Sequence, residues 1–242
     1  MTAVAHGVLL APAGMAVNAG GTPGERGLAG AWVAGPLPVI AVAAGRLLAL
    51  RLMTAIAGIT DGTTCWLAGD SAVVSGYDLT VRPEPKVFAR GPYLFGLTGS
   101  GRASQLLRYT FQPPEPASAG DLLEHMCTTF VSALRTCLKD AGWAKKTDEK
   151  ENADAHFLAA VSGRIFKVWA DYQVTEREDG YDAVGCGEDL LLGSLHTTAA
   201  LGWAPEARLT AALEAAARFS TGVCGPFTVV RTPPAEAGEA AA

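Results

Sequence analysis

The rhythm of apolar and polar positions changes at about residue 54. Residues 1–53 run through Ala, Gly, Val, Leu and Pro, carry charge only at Glu25, Arg26, Arg46 and Arg51, and show no helical or alternating period. From Thr54 onward, short apolar runs alternate with turn residues. Residues 54–59 and 65–70 flank Asp61-Gly62 and predict a β-hairpin. Residues 86–90 and 93–99 flank Gly91-Pro92 and predict a second. Helical spacing through Leu106 and Leu107 predicts a helix over 101–109, after which Pro113, Pro114 and Pro116 break the chain.

Leu122, Leu123, Met126, Phe130, Leu134 and Leu138 recur at three- and four-residue steps and predict a long amphipathic helix over 118–141. Residues 143–154 are polar and charged, and read as a solvated loop. A third hairpin is expected from 157–161 and 165–169 across Ser162-Gly163, then a strand over 181–185. Helices over 190–200 and 205–221, a last strand over 226–231 and a frayed tail at 233–242 complete the reading. The order is strands, two helices, strands, two helices and a closing strand. Two helix pairs covering two sheets make an α+β fold, and a four-layer αββα sandwich is one arrangement consistent with it.

Composition narrows the function classes. A formal net charge of −5 leaves no basic excess for neutralising phosphates, so nucleic acid is not expected as a partner. Charged residues are only 18% of the chain against 49% apolar, so part of the surface is expected to be covered in an oligomer. Cys65, Cys127, Cys137, Cys186 and Cys224 are odd in number and lack metal-ligand spacing, which reads as reduced thiols in the cytoplasm. His6, His125, His156 and His196 form no zinc signature, and no cofactor is expected.

Residues 1–53 fit neither a secretory signal, whose basic n-region is missing, nor a membrane span, since Pro36 and Pro38 interrupt the one apolar candidate and Arg46 closes it. The segment reads as disordered, as a removable propeptide, or as sequence ahead of the true start at Met53. The domain proper is expected over 54–232.

Within that domain, residues 53–59 (Met-Thr-Ala-Ile-Ala-Gly-Ile), Ala68-Gly69-Asp70, Lys86-Val87-Phe88 and Leu97-Thr98-Gly99-Ser100-Gly101 resemble proteasome β subunits. They resemble the HslV-type bacterial peptidase still more. Val184-Gly185-Cys186-Gly187 resembles that family's Gly-Ser-Gly turn. Asp70 lies 16 residues and Lys86 32 residues beyond Thr54, both matching the family's separations. Singly, Thr54 reads as a strand threonine, Asp70 as a turn residue and Lys86 as an edge charge; the joint spacing is what makes the pattern specific.

The resemblance implies the N-terminal-nucleophile (Ntn) hydrolase fold and a threonine peptidase acting on peptides or unfolded proteins inside a homo-oligomeric ring. An ATP-dependent unfoldase partner is implied too, although the chain itself holds no Walker-type phosphate loop. The chemistry accounts for the residue types. A threonine hydroxyl is a weak nucleophile that needs a base, and the α-amino group of an N-terminal threonine can serve. On this reading Thr54 attacks, Lys86 tunes its amine, Asp70 holds Lys86, and the Gly99 amide stabilises the oxyanion.

Two departures stand out. Cys186 occupies the place of the family's serine, and 220–224 (Ser-Thr-Gly-Val-Cys) lacks the aspartate common there in proteasome β subunits. Two other functions share the fold: a small-amide amidohydrolase, and a catalytically weak or inactive ring subunit.

Overall fold

In the computed structural model, residues 54–75, 78–147 and 150–233 are described. The leader and most of the tail lie outside them, and so do the expectations that fall there.

Strand β1 (Ala55–Thr60) and β2 (Cys65–Gly69) form the first expected hairpin, pairing Ile56 with Gly69 and Thr60 with Cys65. Asp61 closes the turn through its carboxylate, which accepts from Thr63 N at 2.9 Å and Thr64 N at 2.7 Å. Strand β12 (Tyr181–Gly185) flanks β1, and β13 (Thr228–Arg231) flanks β2, giving the antiparallel order β12-β1-β2-β13. The other large sheet has the order β11-β10-β9-β6-β5. Its strands are β5 (Val87–Arg90), β6 (Tyr93–Gly99), β9 (Ala155–Val161), β10 (Arg164–Val168) and β11 (Val174–Glu176).

Three apolar clusters hold these parts together. Ile56, Leu67 and Val184 of the first sheet meet Val87, Leu94, Leu158 and Ile165 of the second. The opposite side of the first sheet, with Ala55, Ala57 and Ile59, packs with α4 (Glu188–Ala199) and α5 (Pro205–Phe219) through Leu191, Leu195, Leu209 and Leu213. The second sheet presents Phe95, Phe157 and Phe166 to α1 (Gly101–Tyr109), to α2 (Leu122–His125) and to α3 (Val131–Asp140). The result is a mixed α/β fold with antiparallel sheets.

The long helix expected over 118–141 starts later and is not uniformly α. Between α2 and α3 lies a π-helical turn, Met126–Phe130. Leu122, Met126, Phe130, Leu134 and Leu138 are all buried and four residues apart. In a regular α-helix that spacing carries the stripe around the axis by about 40° per step. The wider π turn slackens the winding and keeps the stripe facing the sheet. Leu123, expected on the same face, is 42% exposed.

The expectation of a solvated loop over 143–154 is corrected. Strands β7 (Lys145–Thr147) and β8 (Lys150–Asn152) form a hairpin there. Glu151 ties it to α3 through Arg135 at 2.8 Å and Lys139 at 2.7 Å, and Ala153 is buried beneath. A further hairpin of β3 (Ala72–Ser75) and β4 (Asp78–Val81) was not expected, and neither was β11.

Candidate active site

Thr54 stands one residue ahead of β1, with Ala55 paired to Gly185 at the end of β12. Gly185 has φ +107°, and a side chain there would place its Cβ 2.1 Å from the Thr54 carbonyl oxygen. Only glycine allows both the left-handed backbone and the close approach. The chain then passes Cys186 and enters α4 at Gly187, whose amide donates to the same carbonyl at 3.4 Å. Thr54 is thereby held at the start of an inner strand with only 5% of its surface exposed.

Asp70 fixes the other side. It follows β2 and is buried, with Oδ1 accepting from Ala55 N at 2.8 Å and Oδ2 from Ala72 N at 2.9 Å. Oδ1 thus fastens the backbone next to Thr54 and Oδ2 the turn after Asp70 itself, so both oxygens are satisfied, as a buried carboxylate requires. Oδ1 also takes the Lys86 ammonium at 2.7 Å, and Lys86 Nζ reaches Thr54 Oγ1 at 3.2 Å. Burial presses the Lys86 pKa below the ordinary lysine value, and the Asp70 carboxylate pulls it back only in part.

Cys186 meets Thr54 from a third direction. Its sulfur accepts from Thr54 N at 3.3 Å, lies 3.5 Å from the Thr54 carbonyl oxygen and 3.7 Å from Ser220 Oγ. Ser220 caps the end of α5. Sequence reasoning noted that an acid is missing from this stretch but did not foresee the Cys186–Ser220 pair; only packing of α5 beside α4 reveals it.

Gly99 ends β6 opposite Ala155, with φ +114°, and a Cβ there would sit 2.6 Å from the Ala155 Cα. Ser100 follows as the cap of α1, its hydroxyl accepting from Arg102 N and Ala103 N. Thr54, Lys86 and Gly99 line one cleft of about 220 Å³, walled by β3 and α1. The structure therefore brings together Thr54, Asp70, Lys86 and Cys186 by direct contacts and sets Gly99 in the same cleft. A hydroxyl beside an ammonium is a geometry suited to nucleophilic attack on a carbonyl when a base is supplied.

Solved structures share this architecture. BPH from Thiobacillus denitrificans in complex with epoxomicin superimposes with a TM-score of 0.64 at 20% identity, covering 75% of this chain and 100% of that one. A further structure of the same BPH gives 0.62 at 23% identity, covering 74% and 97%. Eukaryotic HslV from Trypanosoma brucei gives 0.53 at 17% identity, covering 74% and 98%. The chain has the HslV/BPH-type, proteasome-like fold. No family model and no curated protein sequence matches the chain, so the likeness is one of fold. No helix among the described residues is long and apolar enough to cross a membrane.

Proposed function

We propose that this chain is a threonine-type peptidase, with Thr54 as nucleophile once residues 1–53 are removed or left untranslated. The observation that carries the reading is the Lys86 ammonium standing between Thr54 Oγ1 and Asp70 Oδ1. Asp70 also receives two backbone amides, but those need no lysine. A buried ion pair adds little net stability, so the placing of Lys86 against Thr54 Oγ1 is what supports a catalytic use.

In the mature protein the neutral Thr54 amine takes the hydroxyl proton as Oγ1 attacks the substrate carbonyl. Lys86, charged, stabilises the developing alkoxide and favours the neutral amine. Asp70 holds Lys86 in place, and the Gly99 amide is the donor for the oxyanion, a role whose loss typically costs about 3 kcal/mol. The amine, now protonated, returns its proton to the leaving nitrogen. Water, activated by the same amine, then hydrolyses the ester on Oγ1. Cys186 and Ser220 position the amine.

The reading extends to a four-layer αββα sandwich and to a cytoplasmic homo-oligomeric ring acting on peptides or unfolded proteins, fed by an ATP-dependent unfoldase. Exposed Leu201, Trp203 and Phe219 support an oligomer. Comparison of wild type with Thr54→Ala on fluorogenic peptides and on small amides tests the reading. Peptide hydrolysis lost in the variant is expected; activity confined to small amides, or none in either protein, contradicts it.

A further inference from the structure

The cleft beside Thr54 is where the residue donating the scissile carbonyl sets its side chain, because Thr54 and Gly99 share its wall. Val73, Pro85 and Leu97 give it apolar surface, and Ser104 adds a hydroxyl. Its charged groups are unequally matched. Lys86 is engaged by Asp70. Arg82 and Glu84 are exposed, so water screens both, and Glu84 acts on Arg108 only through solvent-screened charge.

Arg108 differs. It is half-buried on α1, its guanidinium 3.9 Å above the Phe88 ring and donating to the Pro85 carbonyl. Those contacts fix the planar group while using only part of its five N–H donors. Among the described residues no carboxylate forms an ion pair with it. Burial works against its charge, with Tyr109 and Glu84 only partly opposing. A fixed, partly desolvated guanidinium at the wall of a cleft of mixed polar and apolar lining is matched by a carboxylate on a short aliphatic stem.

We propose that the cleft selects an acidic side chain, glutamate above all, on the residue that donates the scissile carbonyl, with Arg108 as the specificity-determining residue. This rests on the peptidase reading of Thr54. The glutamate methylenes lie along Val73 and Leu97, and the carboxylate meets the Arg108 fork. A volume of about 220 Å³ is ample for that side chain.

The test uses protein with a verified Thr54 terminus and peptide amides differing only in the residue before the fluorophore: Glu, Gln, Leu or Arg. In the unaltered protein kcat/KM for Glu is expected to exceed that for Gln, its neutral isostere, by about tenfold or more, as a charge-assisted bond predicts. Arg108→Gln is expected to bring the two within about threefold. Labelling of Thr54 by a small uncharged β-lactone in the unaltered protein reports separately whether the nucleophile is competent. Gln or Leu cleaved as well as Glu, with Thr54 labelled, overturns the acid preference and leaves the peptidase reading standing. Absence of labelling in wild type overturns both. The Glu–Gln comparison needs no variant, so a folding defect in Arg108→Gln cannot mask it.

Discussion

Lys86 Nζ lies 3.2 Å from the Thr54 hydroxyl oxygen, although the two residues are 32 positions apart in the chain. The contact spans two sheets, since Thr54 leads into β1 of one and Lys86 into β5 of the other. Asp70, at the end of β2, sits under both and makes the separation a fixed quantity. Replacing Lys86 with Met is expected to lower kcat/KM at least a hundredfold, because the neutral side chain removes the charge that stabilises the alkoxide. It also leaves the Asp70 carboxylate, whose side chain is fully buried, without its cation. A loss of about 3 kcal/mol in urea unfolding should accompany the kinetic defect.

The pH profile follows from the same pair. The ascending limb is expected to report the α-amine of the mature Thr54, a group that ordinarily titrates at about 8. The descending limb reports loss of the Lys86 proton. Because burial has moved that pKa below the ordinary lysine value, the fall in activity should begin below about pH 10.4. A kcat/KM profile that stays flat to higher pH would argue that the Lys86 charge is not used.

Cys186→Ser tests what the thiol contributes beside Thr54. The sulfur receives Thr54 N at 3.3 Å, and a hydroxyl is the stronger partner. The expected outcome is a two- to tenfold gain in kcat with KM little changed; a loss of that size would show the thiol to be matched to this site.

Gly185→Ala is expected to be far more damaging than its size suggests. The added Cβ would stand 2.1 Å from the Thr54 carbonyl oxygen on a backbone with φ +107°. Strain of this kind costs about 1–3 kcal/mol before the clash is counted, and relief must displace Thr54. Activity should fall below detection even under conditions where circular dichroism reports a folded chain.

Cys65 links burial to alkaline stability. Burial raises its thiol pKa to about 11 from 9.0, so the folded state favours the neutral form. That contribution is full below about pH 9 and is lost as pH rises towards 11. The urea midpoint should therefore fall across this window, and less steeply in Cys65→Ala, which has nothing to ionise there. An unchanged slope would assign the fall to other groups, Tyr93 first among them.

The parts legible in the sequence were those with a local signature. The hairpin turns at Asp61-Gly62 and Gly91-Pro92, the leucines of α1 and the step at Pro205 announce their elements. Strand β4 escaped because all four of its residues are exposed, so no apolar alternation marks it. The β7–β8 hairpin escaped because Lys145–Asn152 reads as solvent-facing charge until Glu151 is seen against Arg135 and Lys139. At the site, Thr54, Asp70 and Lys86 were visible because their separations match a known pattern. Ser220 and Arg108 were not, since each gains its role from a helix packed against residues far away in the chain.

The most direct test of the account is the identity of the mature N-terminus read together with covalent labelling. Protein from its native cell should be sequenced, treated with a threonine-directed epoxyketone, and mapped by mass spectrometry. The account predicts a chain beginning at Thr54, with the label on that residue and none on Thr54→Ala protein. A chain that keeps residues ahead of Thr54 and takes no label would contradict it, and would leave the fold as a ring-building subunit rather than a peptidase.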